Sequence, residues 1–247
     1  MTLPLIVAHR GNKSVTPENT LPAFASALHS GCDGIEMDVV MTADNIPVVI
    51  HDETVDGTTN GSGHVGQMTL AQIRQLDAGS WFSPGFAGTR IPTFAEFAGL
   101  MAEAPDVEIL LEFKGHWTAA QASVVLEDVK AHGLTDRTML QSFHPLTIGA
   151  LHEIAPGSKR GALLEIVPDE LIASAQALGL YTVNPDVNLV LNAPNLVQLI
   201  HDADMKIQVW TANTTEQWER LVELGVDAII TDHPDRLAGW YDGRGLR

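Results

Sequence analysis

Short runs of β-branched and other apolar residues alternate along the chain with longer stretches whose apolar positions recur every three to four residues. That alternation predicts parallel strands covered by helices. Eight runs read as strands: Leu5–Ala8, Gly34–Val39, Glu108–Phe113, Thr138–Ser142, Arg160–Leu164, Thr182–Asn184, Lys206–Thr211 and Ala228–Thr231. Helical stretches lie among them at Thr20–His29, Thr93–Met101, Ala119–Ala131, Pro145–Ile154, Pro168–Ala177, Ala193–Ala203 and Thr215–Leu224. Gly31, Gly133, Gly179 and Gly225 close four of these, where a left-handed cap suits glycine. Eight such strands in 247 residues predict a single α/β domain over 1–247, a (β/α)8 TIM barrel.

One segment breaks the rhythm. Gly34–Thr42, the turn residues Ala43-Asp44-Asn45 and the run Ile46–Asp52 read as a hairpin. A turn centred on Asp44–Asn45 would set His51 opposite Asp38. Beyond it, residues 53–90 are rich in Gly, Thr and Ser, with a helical patch around Leu70–Leu76. So long a stretch with little regular pattern predicts a small inserted subdomain, which in a barrel would cover the C-terminal face.

Charge narrows the partners. With 31 Asp+Glu against 14 Lys+Arg, the formal net charge is -17, which argues against nucleic acid and against stable docking on anionic membrane. An anionic ligand would need its positive charge supplied locally, by a divalent cation and a few placed Arg or Lys side chains. The lone cysteine, Cys32, rules out a disulfide framework. No apolar run reaches the ~18 residues of a membrane span. Met1–Ala8 is too short for a secretion signal and reads as the first strand, so a cytoplasmic location is expected.

Candidate chemistry gathers at strand ends. The first strand runs into His9-Arg10-Gly11, pairing an imidazole for proton transfer with a guanidinium suited to phosphate; a structurally satisfied histidine is the plainer alternative. In Gly34–Val39, Glu36 and Asp38 share one face and Ile35, Met37 and Val39 the other. The apolar face must pack under helices, so the acids point into the barrel mouth, where their repulsion calls for a hard cation or an ion-paired network. Glu112 and Lys114 share a face at the end of the third barrel strand, either as site residues or as a local salt bridge. Trp210 ends the seventh strand, as a substrate wall or as core. His64, His116, His144, His152, His201 and His233 read as surface, loop or capping residues, and Asp232 as an orienting or capping group.

Taken in order, His9-Arg10-Gly11, Pro17-Glu18-Asn19-Thr20, Gly34–Val39, His51-Asp52, Thr58-Thr59-Asn60-Gly61, Glu112-Phe113-Lys114, Val209-Trp210-Thr211 and Asp227–Asp232 make the chain resemble the glycerophosphodiester phosphodiesterase family, in its short bacterial cytoplasmic form. The resemblance implies a β/α barrel with a small insertion here at 53–90. It implies His9 and His51 as the acid–base pair, and Glu36, Asp38 and Glu112 as ligands of one Mg2+ or Ca2+. Arg10 and Lys114 would bind phosphate and Trp210 would face substrate, while the Pro-Glu-Asn-Thr stretch orders the first loop. One departure stands out: the family usually carries arginine before the Thr-Thr pair, where this chain has Gly57.

The implied reaction is metal-dependent hydrolysis of small glycerophosphodiesters, such as glycerophosphocholine and glycerophosphoethanolamine, to sn-glycerol 3-phosphate and an alcohol. Three rivals predict different features. Lysophospholipase D-type cleavage needs an apolar groove or membrane-binding surface. A metal-dependent lyase or isomerase needs one base rather than two histidines plus Arg10. A non-catalytic binder would be expected to have lost a histidine or a carboxylate, and none is missing.

Overall fold

In a computed structural model describing residues 3–247, eight parallel strands close into a barrel. They are β1 (Leu5–His9), β2 (Gly34–Met41), β4 (Glu108–Phe113), β5 (Thr138–Ser142), β6 (Lys159–Leu164), β7 (Thr182–Pro185), β8 (Lys206–Val209) and β9 (Ala228–Thr231). Each pairs with the next around the ring, and β9–β1 and β1–β2 complete it. A ninth strand, β3 (Pro47–Val49), runs antiparallel to the end of β2. Among the described residues ten helices accompany them: α1 (Leu21–Leu28), α2 (Leu70–Ile73), α3 (Phe94–Ala102), α4 (Ala119–Ala131), α5 (Pro145–Ile154), α6 (Leu171–Ala177), α7 (Val187–Asn192), α8 (Asn195–His201), α9 (Thr215–Leu224) and α10 (Pro234–Gly243). All eight expected barrel strands form; α7 and α10 are additional to the helices expected. Of the stretch Met1–Ala8, positions 1 and 2 lie outside the described residues. Among the described residues no helix is long and apolar enough to cross a membrane.

Local sequence explains the helix starts. Thr69, Thr93, Thr118 and Thr214 each accept the N3 backbone N–H, while Gln72, Glu96, Gln121 and Gln217 reach back to the cap. Outward residues of the strands pack under these helices. Ile35, Met37 and Val39 of β2 join Phe24, Phe97, Met101, Ile109 and Leu111 in one core, all buried. A second core gathers β7–β9 with α6–α10 around Val183, Ile207, Ile229, Trp218 and Tyr241. Inside the barrel, Val7, Leu110, Met139, Ala228 and Ile230 form a plug beneath the C-terminal mouth.

The hairpin corrects one expectation. Val39 pairs with Val49, Val40 with Val48 and Met41 with Pro47, so Ile50, not His51, lies opposite Asp38 and donates to its carbonyl at 3.2 Å. The reason is the loop. Thr42 and Ile46 close a three-residue turn in which Asn45 adopts φ 59°, a left-handed residue that converts a two-residue turn into a three-residue one. His51 thus leaves β3 past its last paired residue and reaches the mouth from the following loop. Residues 53–90 then fold around a small core in which Val55, Val65, Ile73 and Ala78, with Ile91 just beyond, pack on Val40, Val48 and Ile50 of the hairpin.

Gly11 tests the entry to the site. Its φ is 82°, and a Cβ there would sit 2.7 Å from the Ala23 backbone. Both the left-handed backbone and the contact penalise a side chain, so Gly11→Ala should cost about 2–4 kcal/mol. Circular-dichroism melting should register a fall of roughly 5–15 °C; an unchanged midpoint would mean the first loop is not packed as described.

Candidate active site

Register explains why the acids converge. Asp38 of β2 lies beside Glu112 of β4, and Glu112 beside Gln141 of β5, while His9 of β1 lies beside Glu36. Side chains at matched positions on neighbouring strands stand about 5 Å apart on the same face. One oxygen each of Glu36, Asp38 and Glu112 falls within 4.8 Å of the other two, and all three residues are buried. The inward alternation expected for β2 therefore holds.

Such crowding is costly without a cation. Burial first, then the charges of Asp38 and Glu112, push the Glu36 carboxyl well above its ordinary range. Burial and Asp38 likewise raise Glu112, to about 8. Burial opposes charge on Asp38 too, but Arg10, Lys114 and His51 outweigh it and hold this carboxylate below the usual range. Asp38 Oδ1 is buried and accepts no hydrogen bond. An orphaned oxygen among three converging carboxylates is the donor set of a hard divalent cation, and the residues fit one.

Basic residues ring the acids. Arg10, at φ 55°, donates its backbone N–H to Glu36 Oε2 at 3.1 Å. Its guanidinium donates to Glu18 Oε1 at 2.7 Å and brings Nε to 3.4 Å from Asp38 Oδ2. Lys114 Nζ lies 2.7 Å from Glu112 Oε1 and 3.8 Å from Asp38 Oδ1. The salt bridge that offered a purely structural reading of Glu112–Lys114 is thus present, but it sits inside the cluster.

The two histidines are held alike. His9 Nδ1 is 2.7 Å from Asp232 Oδ1, which leaves Nε2 facing the carboxylates, 3.9 Å from Glu36 Oε2. Burial dominates its basicity and lowers it to about 4, against the opposing pull of Asp232. His51 Nδ1 is 2.6 Å from Asp52 Oδ1, and burial again lowers the imidazole. His9, Arg10, Glu36, His51 and Glu112 line one cavity of about 100 Å³ together with Trp210. Trp210 follows β8 rather than ending it. Its indole donates to the Asn184 carbonyl at 2.7 Å, and its ring meets Phe143 edge-on at 5.4 Å, giving the cavity an apolar wall. All eight expected site residues are therefore brought to one mouth.

Several contributors lie outside the eight expected site residues. Asp232, read as orienting or capping, holds His9 and is itself held by Asn213 Nδ2 at 2.8 Å. Lys13 Nζ lies between Glu18 and Asp232, at 3.4 and 3.5 Å. Glu18 and Asn19 do more than order a loop: Asn19 Nδ2 donates to Asp38 Oδ2 at 2.7 Å. Gln141 Nε2 is buried without a partner in the cavity wall, a donor that strand periodicity alone gave no reason to single out. Gly57 also gains a meaning. A Cβ there would lie 3.1 Å from Asp52 Oδ2, so a long basic residue would stand beside the carboxylate that steadies His51.

The profile of the Glycerophosphoryl diester phosphodiesterase family matches residues 9–236. The chain belongs to that family. A glycerophosphodiester phosphodiesterase of Caldanaerobacter subterraneus is 37% identical over 235 residues, covering 94% of this chain and 96% of the relative. Among solved structures, a phosphodiesterase of Oleispira antarctica in complex with the product sn-glycerol-3-phosphate superposes with a TM-score of 0.92 at 27% identity, covering 97% of each chain. A putative glycerophosphoryl diester phosphodiesterase of Silicibacter pomeroyi gives 0.90 at 29% identity over 99% of this chain and 95% of that one. Family membership removes the lyase or isomerase and the non-catalytic binder as readings of the barrel.

Proposed function

We propose that the chain hydrolyses glycerophosphodiesters to sn-glycerol 3-phosphate and an alcohol, with His9 and His51 as the proton-transferring pair beside a divalent-cation site. The barrel and its 53–90 insertion act as one domain, and the lone Cys32 is in keeping with a cytoplasmic setting. The observation that carries the reading is the convergence of two carboxylate-held imidazoles on three buried acids, one with an orphaned oxygen.

Glu36, Asp38 and Glu112 would hold Mg2+ or Ca2+, which would supply charge stabilisation for phosphoryl oxygens. Arg10 and Lys114 bring the remaining positive charge, each already oriented by carboxylates. Because Nδ1 of each histidine is tied to Asp232 or Asp52, Nε2 is the atom offered to substrate. One imidazole, neutral, accepts the proton of the attacking hydroxyl or water on Nε2, and the other, entering as imidazolium, donates its Nε2 proton to the departing alkoxide. Trp210 and Phe143 pack against the carbon skeleton.

Purified protein incubated with glycerophosphoethanolamine should release glycerol 3-phosphate, measured enzymatically, and a chelator should stop the release. Absence of product, or turnover indifferent to chelator, would contradict the proposal.

A further inference from the structure

The catalytic cavity is about 100 Å³, and beside it runs a groove of about 350 Å³ between the insertion and the loop after β4. Glu53, His64, Lys114, Gly115, His116 and Gln121 wall this groove. Lys114 is the shared partition. It lines the groove, while its Nζ reaches Glu112 and stands 5.5 Å from the centre of the Phe143 ring in the catalytic cavity. A diester with its phosphoryl group in the small cavity would carry its other alcohol past Lys114 to reach this groove.

Charge runs in a fixed order along this groove. Lys114 stands at the inner end. One residue further on, a Cβ at Gly115 would come 3.1 Å from Glu53 Oε1, so a carboxylate lies against the loop just outside the cation. The Glu53 backbone accepts from Val65 N–H at 2.9 Å, which anchors the residue while its side chain stays exposed to the groove. His116, in the groove wall, meets His144 at a tilt with ring centroids 4.3 Å apart. Burial, with His116 and Lys114 nearby, lowers the basicity of His144 against the opposing pull of Glu53. Positive then negative is the complement of a substrate that presents phosphate and then ammonium, and imidazole faces add a surface on which an ammonium can rest.

We propose that this groove receives the alcohol head group and that Glu53 is a specificity-determining residue for cationic head groups, ammonium-bearing alcohols on a short carbon arm. The assignment rests on the phosphodiesterase reading above. It concerns a residue outside the metal and proton-transfer groups, and it makes His116 part of the substrate path rather than a plain surface histidine.

The test compares kcat/KM for glycerophosphocholine and glycerophosphoethanolamine with that for glycerophosphoglycerol, whose head group is neutral. In Glu53→Gln the cationic-to-neutral ratio should fall roughly 3- to 10-fold, carried by KM, as expected for loss of a partly exposed charge contact. Glu53→Lys should lower the ratio further. An unchanged ratio in both variants would overturn the assignment while leaving the hydrolase intact. If the wild-type protein cleaves none of the three diesters, the phosphodiesterase reading fails and this one fails with it.

Discussion

Replacing His9 or His51 with alanine should lower glycerophosphodiester turnover by roughly 10²- to 10⁴-fold, the range expected when a positioned acid or base is removed. The fold should survive. His9 contributes one hydrogen bond to Asp232, which keeps Asn213 and Lys13 as neighbours, and His51 is held only by the exposed Asp52. Melting temperatures within about 3 °C of wild type are expected for both variants. On the proposed proton relay the two imidazoles act as a unit, so the double variant should lose little beyond the worse single one. Near-normal activity in both single variants would remove the histidines from the mechanism.

The second large effect concerns the carboxylate cluster. Chelation should abolish turnover, and restoring Mg2+ or Ca2+ at about 100 times its dissociation constant should stabilise the protein by about 2.7 kcal/mol. That corresponds to a rise in melting temperature of roughly 5–11 °C. Glu112→Gln separates binding from folding. It removes one of three crowded acids whose mutual repulsion and burial raise Glu36 and Glu112, so the metal-free variant should melt no lower than metal-free wild type. It should also lose most of the metal-induced shift. A variant that melts much lower without metal, or that keeps the full shift, would show that Glu112 is a structural partner of Lys114 rather than a ligand.

Much of this geometry was legible in the chain. Strict alternation in Ile35-Glu36-Met37-Asp38-Val39 was enough to put two acids inside and three apolar residues under the helices, because a buried outer face tolerates nothing else. Glu112 and Lys114 declared themselves by closing an apolar strand. What could not be read was contact across ring closure. Asp232 is 223 residues from His9 in sequence, and only the pairing of β9 with β1 brings them together. The hairpin register was missed by one position because Asn45 gives no outward sign of whether it extends a turn by one residue. The failure was harmless to the site, since His51 lies beyond the paired strand. Asn213 and Gln141 carried no signal at all: amides act here through neighbours that the sequence alone does not supply.

The small core of the insertion has a consequence for how this molecule can fail. Val48 and Ile50 belong both to the hairpin that presents His51 and to the cluster formed by Val55, Val65, Ile73, Ala78 and Ile91. A unit with so little apolar surface can open on its own free-energy scale, well below that of the closed ring of strands. Such an opening would draw one imidazole away from the other while leaving every barrel pairing in place. On heating, activity should therefore be lost before the barrel's far-ultraviolet circular dichroism, because opening the insertion displaces His51 first.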